Sequence, residues 1–277
     1  MKIQAGQTVL LTGASGGLGT VMTEAFTRLK VNLALVAFPG TGLEDLCATV
    51  VKSGARAIAI TADLRDPYLR HQVLEKVHRD LGPIDILVNN AGIEFTSAYH
   101  DLSEQQIGDV LAINLEAPMI LSRLVLPEML QRRQGHIVNM SSLAGKSGPA
   151  FQEPYAATKA ALGGFTSSLR ATYRGSGVSA SVIVPSFVEA GIYARLSAQS
   201  GCKAPAVLTG CSAEQVARAV LRAIQHDLPE IIINRYPLRP VLALSALSPS
   251  LGDWVARRLG VHDFFRRVIA NEKRGRG

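Results

Sequence analysis

The chain has little of several things, and each shortage removes a class of protein. Cysteine occurs three times in 277 residues, as Cys47, Cys202 and Cys211, with no C-x-x-C pair, so the pattern supports neither a disulfide framework nor a zinc site. No metal ligand set is expected, and a reducing cytoplasm fits this usage. Aromatic residues make up 5% of the chain and no helix-turn-helix, zinc-finger or RNA-recognition spacing occurs, which argues against a nucleic-acid-binding domain despite a net charge of +7. Much of the excess charge stands late, in Arg257-Arg258, Arg266-Arg267 and Lys273-Arg274-Gly275-Arg276, as a basic tail. The apolar run Val241 to Leu247, bounded by Pro240 and Pro249, is too short to cross a bilayer. The first twelve residues carry no leader-type apolar region or cleavage site, so export is not expected.

What is present points to one large core. Hydrophobic residues are 47% of the chain and charged ones 18%, enough to bury a single α/β domain. Short apolar runs at Val9–Leu11, 32–37, 57–61, 84–88, 136–140, 179–184 and 230–233 alternate with helical patterns. Alternation of this kind predicts a parallel, doubly wound sheet of seven strands. Asp66-Pro67 opens a helix that Gly82-Pro83 stops, and Ser103-x-x-Gln106 and Ser212-x-x-Gln215 have capping-box spacing.

The first strand breaks into Thr12-Gly13-Ala14-Ser15-Gly16-Gly17-Leu18-Gly19 before a helix. Glycines let a backbone approach a pyrophosphate, and a helix N-terminus offers it unpaired N–H groups, so the turn predicts dinucleotide binding. Asp63-Leu64 and Asn89-Asn90-Ala91-Gly92 stand at the C-terminal ends of the third and fourth strands, where open α/β sheets bind ligands. Asn114 interrupts an apolar helical stretch that runs to about Gln131, and is either an inward-facing polar group or a local kink.

Around these elements stands the chemistry. Ser142 follows the fifth strand, and Tyr155 and Lys159 are one helical turn apart, where an ammonium can stabilise a phenolate and bring a phenol's pKa toward neutrality. A hydroxyl, a phenol and an amine converging on one oxygen make a proton-transfer site.

In that order, T-G-x-x-x-G-x-G at Thr12 to Gly19, Asn89 to Gly92, Asn114, Ser142 and Tyr155-x-x-x-Lys159 resemble the short-chain dehydrogenase/reductase family over about residues 5 to 234. The resemblance implies a Rossmann fold with NAD(P) over the glycine turn, contacted by Gly13, Ser15, Gly17, Leu18 and Gly19. It implies further contacts from Asp63 and Leu64 at the adenine, from Asn90, Ala91 and Gly92 at the ribose side, and from Pro185 and Val188 at the nicotinamide. By the same resemblance Tyr155 is the acid/base, Ser142 orients the carbonyl, Lys159 lowers the tyrosine pKa and binds the nicotinamide ribose, and Asn114 holds a relay water.

Two departures stand out. Pro185-Ser186 replaces the family's Pro-Gly, and Ala190 stands near the position of a threonine that bonds the carboxamide. The second strand ends at Ala37-Phe38, with neither an acid for a ribose hydroxyl nor a base for a 2′-phosphate; the missing acid tips the expectation slightly toward NADP(H) over NAD(H). Ile192, Tyr193, Leu196, Val207 and Leu208 fall in the family's lid and suggest an apolar substrate of fatty acyl, steroid or terpenoid kind. The sequence therefore predicts an oxidoreductase interconverting a ketone and a secondary alcohol. A cofactor-binding scaffold or sensor with little turnover is the second reading.

Residues 1 to 234 form the expected domain, and 235 to 277 an amphipathic basic helical extension on or beside it. Val261, Phe264, Phe265, Val268 and Ile269 recur at helical spacing. This stripe packs on the chain's own core, meets a second subunit in a homodimer or homotetramer, or rests on a lipid surface.

Overall fold

The structure, a computed structural model, describes residues 1–275, with side chains through residue 271. The side chains of Lys273 and Arg274, and Arg276 entirely, lie outside the described residues. Seven strands, β1 (Thr8–Thr12), β2 (Asn32–Ala37), β3 (Ala57–Thr61), β4 (Ile84–Asn89), β5 (Gly135–Met140), β6 (Val178–Pro185) and β7 (Glu230–Ile233), form one sheet in the order β3-β2-β1-β4-β5-β6-β7. All six pairings are parallel. The apolar runs of β1, β2, β4 and β5 are almost wholly buried because helices cover both faces, as a parallel sheet demands.

On one face α1 (Gly17–Thr27), α2 (Leu43–Lys52) and α9 (Ala213–His226) cover the sheet, with Met22, Phe26, Val220 and Ile224 fully buried. On the other lie α3 (Pro67–Leu81), the long helix α4 (Glu104–Leu111) to α5 (Ala117–Gln131), and α7 (Glu153–Thr172). Asp66 caps α3 through its carboxylate, which accepts from the Tyr68 amide, and both capping boxes form as the spacing predicts. Glu104–Gln131 is long and apolar enough to cross a membrane by length and composition, but 44% of its most apolar window is buried inside the protein.

Strand order reverses between β1 and β4, since β2 and β3 continue on one side and β5 to β7 on the other. The carboxyl ends of β1 and β4 therefore splay apart into a crevice. Above it sit short α6 (Ala144–Ser147) and α8 (Gly191–Ser200), followed by the extension α10 (Arg239–Leu247), α11 (Pro249–Arg258) and α12 (Val261–Gly275). Of the three readings for the α12 stripe, the first is what the fold displays: Phe264, Phe265 and Val268 are buried against Leu196, Phe187 and Tyr193 of the same chain.

Candidate active site

Backbone geometry fixes the glycine end of the crevice. Gly13 adopts φ +65°, and a Cβ there would lie 2.8 Å from the Cα of Ala91; one at Gly19 would lie 2.1 Å from the Gly13 carbonyl oxygen. No side chain fits at either position, which brings β1, β4 and α1 close enough to leave a phosphate-sized cradle at the helix N-terminus. Thr12 and Asn90 lock that junction: the Thr12 hydroxyl accepts from the Asn90 and Ala91 amides at 3.0 and 3.1 Å, and Asn90 Nδ2 donates to the Thr12 and Gly13 carbonyls at 3.0 Å. Asn89 extends the brace by donating to Asn139 at 2.8 Å.

A cavity of about 520 Å³ runs from this cradle to α12, within the range of small-molecule sites. Gly13, Ser15, Gly17, Leu18 and Gly19 line one end; Asp63, Leu64, Asn90, Ala91 and Gly92 line the flank. Ser142, Tyr155, Lys159, Pro185 and Val188 line the centre. Asn114 does not reach the cavity. It is fully buried behind the wall, where its side chain accepts from the Ile93 amide at 2.9 Å and donates to the Ile93 carbonyl at 2.8 Å. The helix opens into a π turn over Ala112–Glu116, so Asn114 is both the inward polar group and the helical irregularity.

The proton-transfer centre is assembled by packing between α6 and α7. A Cβ at Gly145 would lie 2.5 Å from the Lys159 backbone carbonyl carbon, so only glycine lets α6 and α7 meet. Lys159 Nζ donates to the Met140 carbonyl at 2.8 Å and lies 5.5 Å from the centroid of the Tyr155 ring. The Ser141 hydroxyl, donating to the Lys159 carbonyl at 2.6 Å, ties the helix to the end of β5. Burial pushes the Tyr155 phenol up to about 12, against a hydrogen bond from Ser142 that pulls it down, and the charge of Glu94 pushes it further up. Burial also lowers Lys159 to about 8.

Desolvation weakens the Lys159 ammonium, which is held on the Met140 carbonyl, and Ser142 pulls the Tyr155 phenol down against its burial.

Four site groups escaped the sequence reading. Arg65 lies 5.8 Å over the Phe38 ring, bonded to Asp63 at 2.7 Å and to Asp109 at 2.8 Å, and it lines the cavity at the end of β2. Its hydrogen bonds hold the Asp63 carboxyl below the usual range. Arg70, fully buried, steadies that loop by donating to the Leu64 carbonyl at 2.6 Å and pairing with Glu116 at 2.9 Å. Glu94, buried, accepts from Thr96 at 2.6 Å and from Gln152 at 2.7 Å, and pairs with Arg195 of α8 at 3.8 Å. Gln152, three residues before Tyr155, had a spacing that could have flagged it; Arg65 and Glu94 gave no local signal. Farther along α7, nothing lies within 4 Å of a Cβ at Gly163 or Gly164.

The short chain dehydrogenase family model matches residues 7–201. The chain is 36% identical over 276 residues to the ketoacyl reductase HetN of Nostoc sp., covering 98% of this chain and 95% of the relative. It is 35% identical over 207 residues to the oxidoreductase UcpA of Escherichia coli K12, covering 74% of this chain and 78% of the relative. A crystal structure of a metagenomic short-chain oxidoreductase in complex with NADP superposes with a TM-score of 0.71 at 27% identity, covering 84% of this chain and 98% of that one. A glycine cradle at the switch point of a parallel sheet, a serine, tyrosine and lysine at its centre and these matches together place the chain in the short-chain dehydrogenase/reductase family of oxidoreductases.

Proposed function

We propose that this oxidoreductase interconverts a ketone and a secondary alcohol on an apolar molecule, with Tyr155 as the acid/base. The observation that carries the reading is that Ser142, Tyr155 and Lys159 line the centre of one cavity with a glycine cradle at one end and an apolar wall at the other. A nicotinamide dinucleotide, when bound, supplies or takes up the hydride. In the reductive direction Ser142 donates to the substrate oxygen and Tyr155 passes its phenolic proton to that oxygen as the carbonyl carbon gains the hydride. A phenol held near 12 is protonated at neutral pH and is ready to act as that acid. Lys159 would hold the nicotinamide ribose, and Asn114 would act through Ile93 and the opened π turn to place a relay water.

The far wall contains Phe187, Ile192, Tyr193, Leu196, Leu208 and Phe265, and it supports a fatty acyl, steroid or terpenoid substrate. The ketoacyl reductase activity in HetN's name favours the fatty acyl member of that set. NADP(H) is favoured over NAD(H), because Ala37 offers no carboxylate and Arg65 over Phe38 brings a cation to the ribose end. The open small-residue face of α7 supports a homodimer or homotetramer, and three buried free cysteines support work in the cytoplasm. Residues 1–234 act as the catalytic domain and 235–277 as its extension.

Replacing Tyr155 with Phe keeps the ring and removes the proton. Turnover of an apolar ketone should fall by about 10²- to 10⁴-fold while cofactor affinity stays within about twofold. Wild-type turnover in that variant would refute the assignment.

A further inference from the structure

The hairpin of α10 and α11 presents apolar side chains that the other described residues leave uncovered. In α10, Pro240, Ala243, Leu244 and Leu247 fall at i, i+3, i+4 and i+7, one helical face, and all are exposed, Leu244 to 53% and Leu247 to 84%. Across the turn Leu251 and Trp254 are one helical turn apart, 38% and 51% exposed. Single exposed apolar side chains are ordinary on a protein surface, and a set on one helical hairpin is the unusual case. The hairpin is rigidly packed: a Cβ at Gly252 would lie 2.8 Å from the Ser245 Cβ, and Ser248 caps α11 by accepting from the Leu251 amide.

Charge identifies what this surface suits. Residues 235 to 260 contain four arginines, Arg235, Arg239, Arg257 and Arg258, against one acid, Asp253, which is paired with Arg257 at 2.7 Å. Arg235 lies 5.7 Å over the Tyr236 ring and Arg258 5.4 Å over the Trp254 ring. An amphipathic aromatic with a cation at its edge, beside exposed leucines, matches the headgroup level of a bilayer. A second copy fits poorly, because a two-fold interface on this patch would bring the same arginines together.

We propose that the α10–α11 hairpin docks the protein on an anionic lipid surface, with Leu244, Leu247, Leu251 and Trp254 at the acyl boundary and the arginines among the headgroups. The hairpin is rooted through Leu238 and Leu242 in the cluster that includes Leu143, Leu208 and Val261, three side chains of the cavity wall. Docking there brings the membrane beside the cavity, a route for an apolar substrate; this last step alone rests on the substrate class proposed above.

The test is sedimentation of the full chain with phosphatidylcholine vesicles, with and without about 30% phosphatidylserine. Wild type should pellet with the anionic vesicles and be released by ~1 M salt, where screening shortens to a few ångströms. Leu247→Ser with Leu251→Ser and Trp254→Ser should bind at least tenfold more weakly, and each of Arg235, Arg239 and Arg258 changed to Gln should cost about fivefold. Melting temperature and turnover of a detergent-dispersed substrate should not change in these variants, which separates failed docking from failed folding or failed chemistry. Wild type that ignores anionic vesicles, or equal binding by wild type and the triple variant, overturns the proposal. A change of mass in solution in the triple variant without any vesicle binding gives the surface to a second copy instead.

Discussion

At the scale of single residues, the site's chemistry is set by where burial and hydrogen bonds leave each charge. Lys159 titrates near 8 and Tyr155 near 12, so the phenol stays protonated through neutral pH while the ammonium is lost first. For reduction, which needs a protonated phenol beside a cation, kcat/KM should be level below about pH 8 and fall above it as Lys159 loses its proton. A profile that stays level to about pH 10 would show that the lysine's charge plays no part. Arg65 makes the cofactor prediction sharper than Ala37 alone: NADPH should bind more tightly than NADH, and Arg65→Met should remove most of the difference by fluorescence titration. Tighter binding of NADH by tenfold or more would reverse the preference.

Elements meet where side chains are absent. A methyl at Gly19 would stand 2.1 Å from the Gly13 carbonyl and 2.7 Å from that of Ala14, both backbone atoms that cannot turn aside. Gly19→Ala should therefore lift α1 from its turn and weaken cofactor binding by at least about tenfold, the loss of one or two charge-assisted bonds. Cofactor affinity equal to wild type would mean that the loop relaxes and that the glycine is not what shapes the cradle. The same reasoning holds for Gly145, where a Cβ would lie 2.5 Å from the Lys159 carbonyl carbon, so that α6 and α7 meet backbone to backbone. The π turn at 112–116 is the converse case, where a side chain makes the junction: the helix opens and Asn114 satisfies both backbone groups of Ile93.

For the whole molecule, the extension is a structural part of the site. Leu238, Val261, Phe264, Phe265 and Val268 are buried, each contributing about 1.5 to 3 kcal/mol, against a typical total stability of about 5 to 15 kcal/mol. Deleting residues 235–277 should lower the melting temperature by more than about 10 °C and open the cavity wall formed by Val261 and Phe265. An unchanged melting temperature, measured by calorimetry, would mean that the α12 stripe is covered by something other than this chain.

Much of this was written locally. Apolar runs of three to six residues between helical patterns are enough to specify parallel strands, because burial on both faces leaves no polar alternation to read. Asp66-Pro67 and the two Ser-x-x-Gln boxes specify helix starts, since a cap bonds to amides two or three residues away. The glycine turn and the Tyr155–Lys159 spacing were legible for the same reason. What only the tertiary structure decided are contacts between positions far apart in the chain. Arg65 reaches Phe38 because β3 lies beside β2; Glu94 meets Arg195 because α8 folds over the loop after β4. The sequence determined that α12 has an apolar stripe and the fold determined what covers it, because periodicity records which face avoids water and carries no information about its partner.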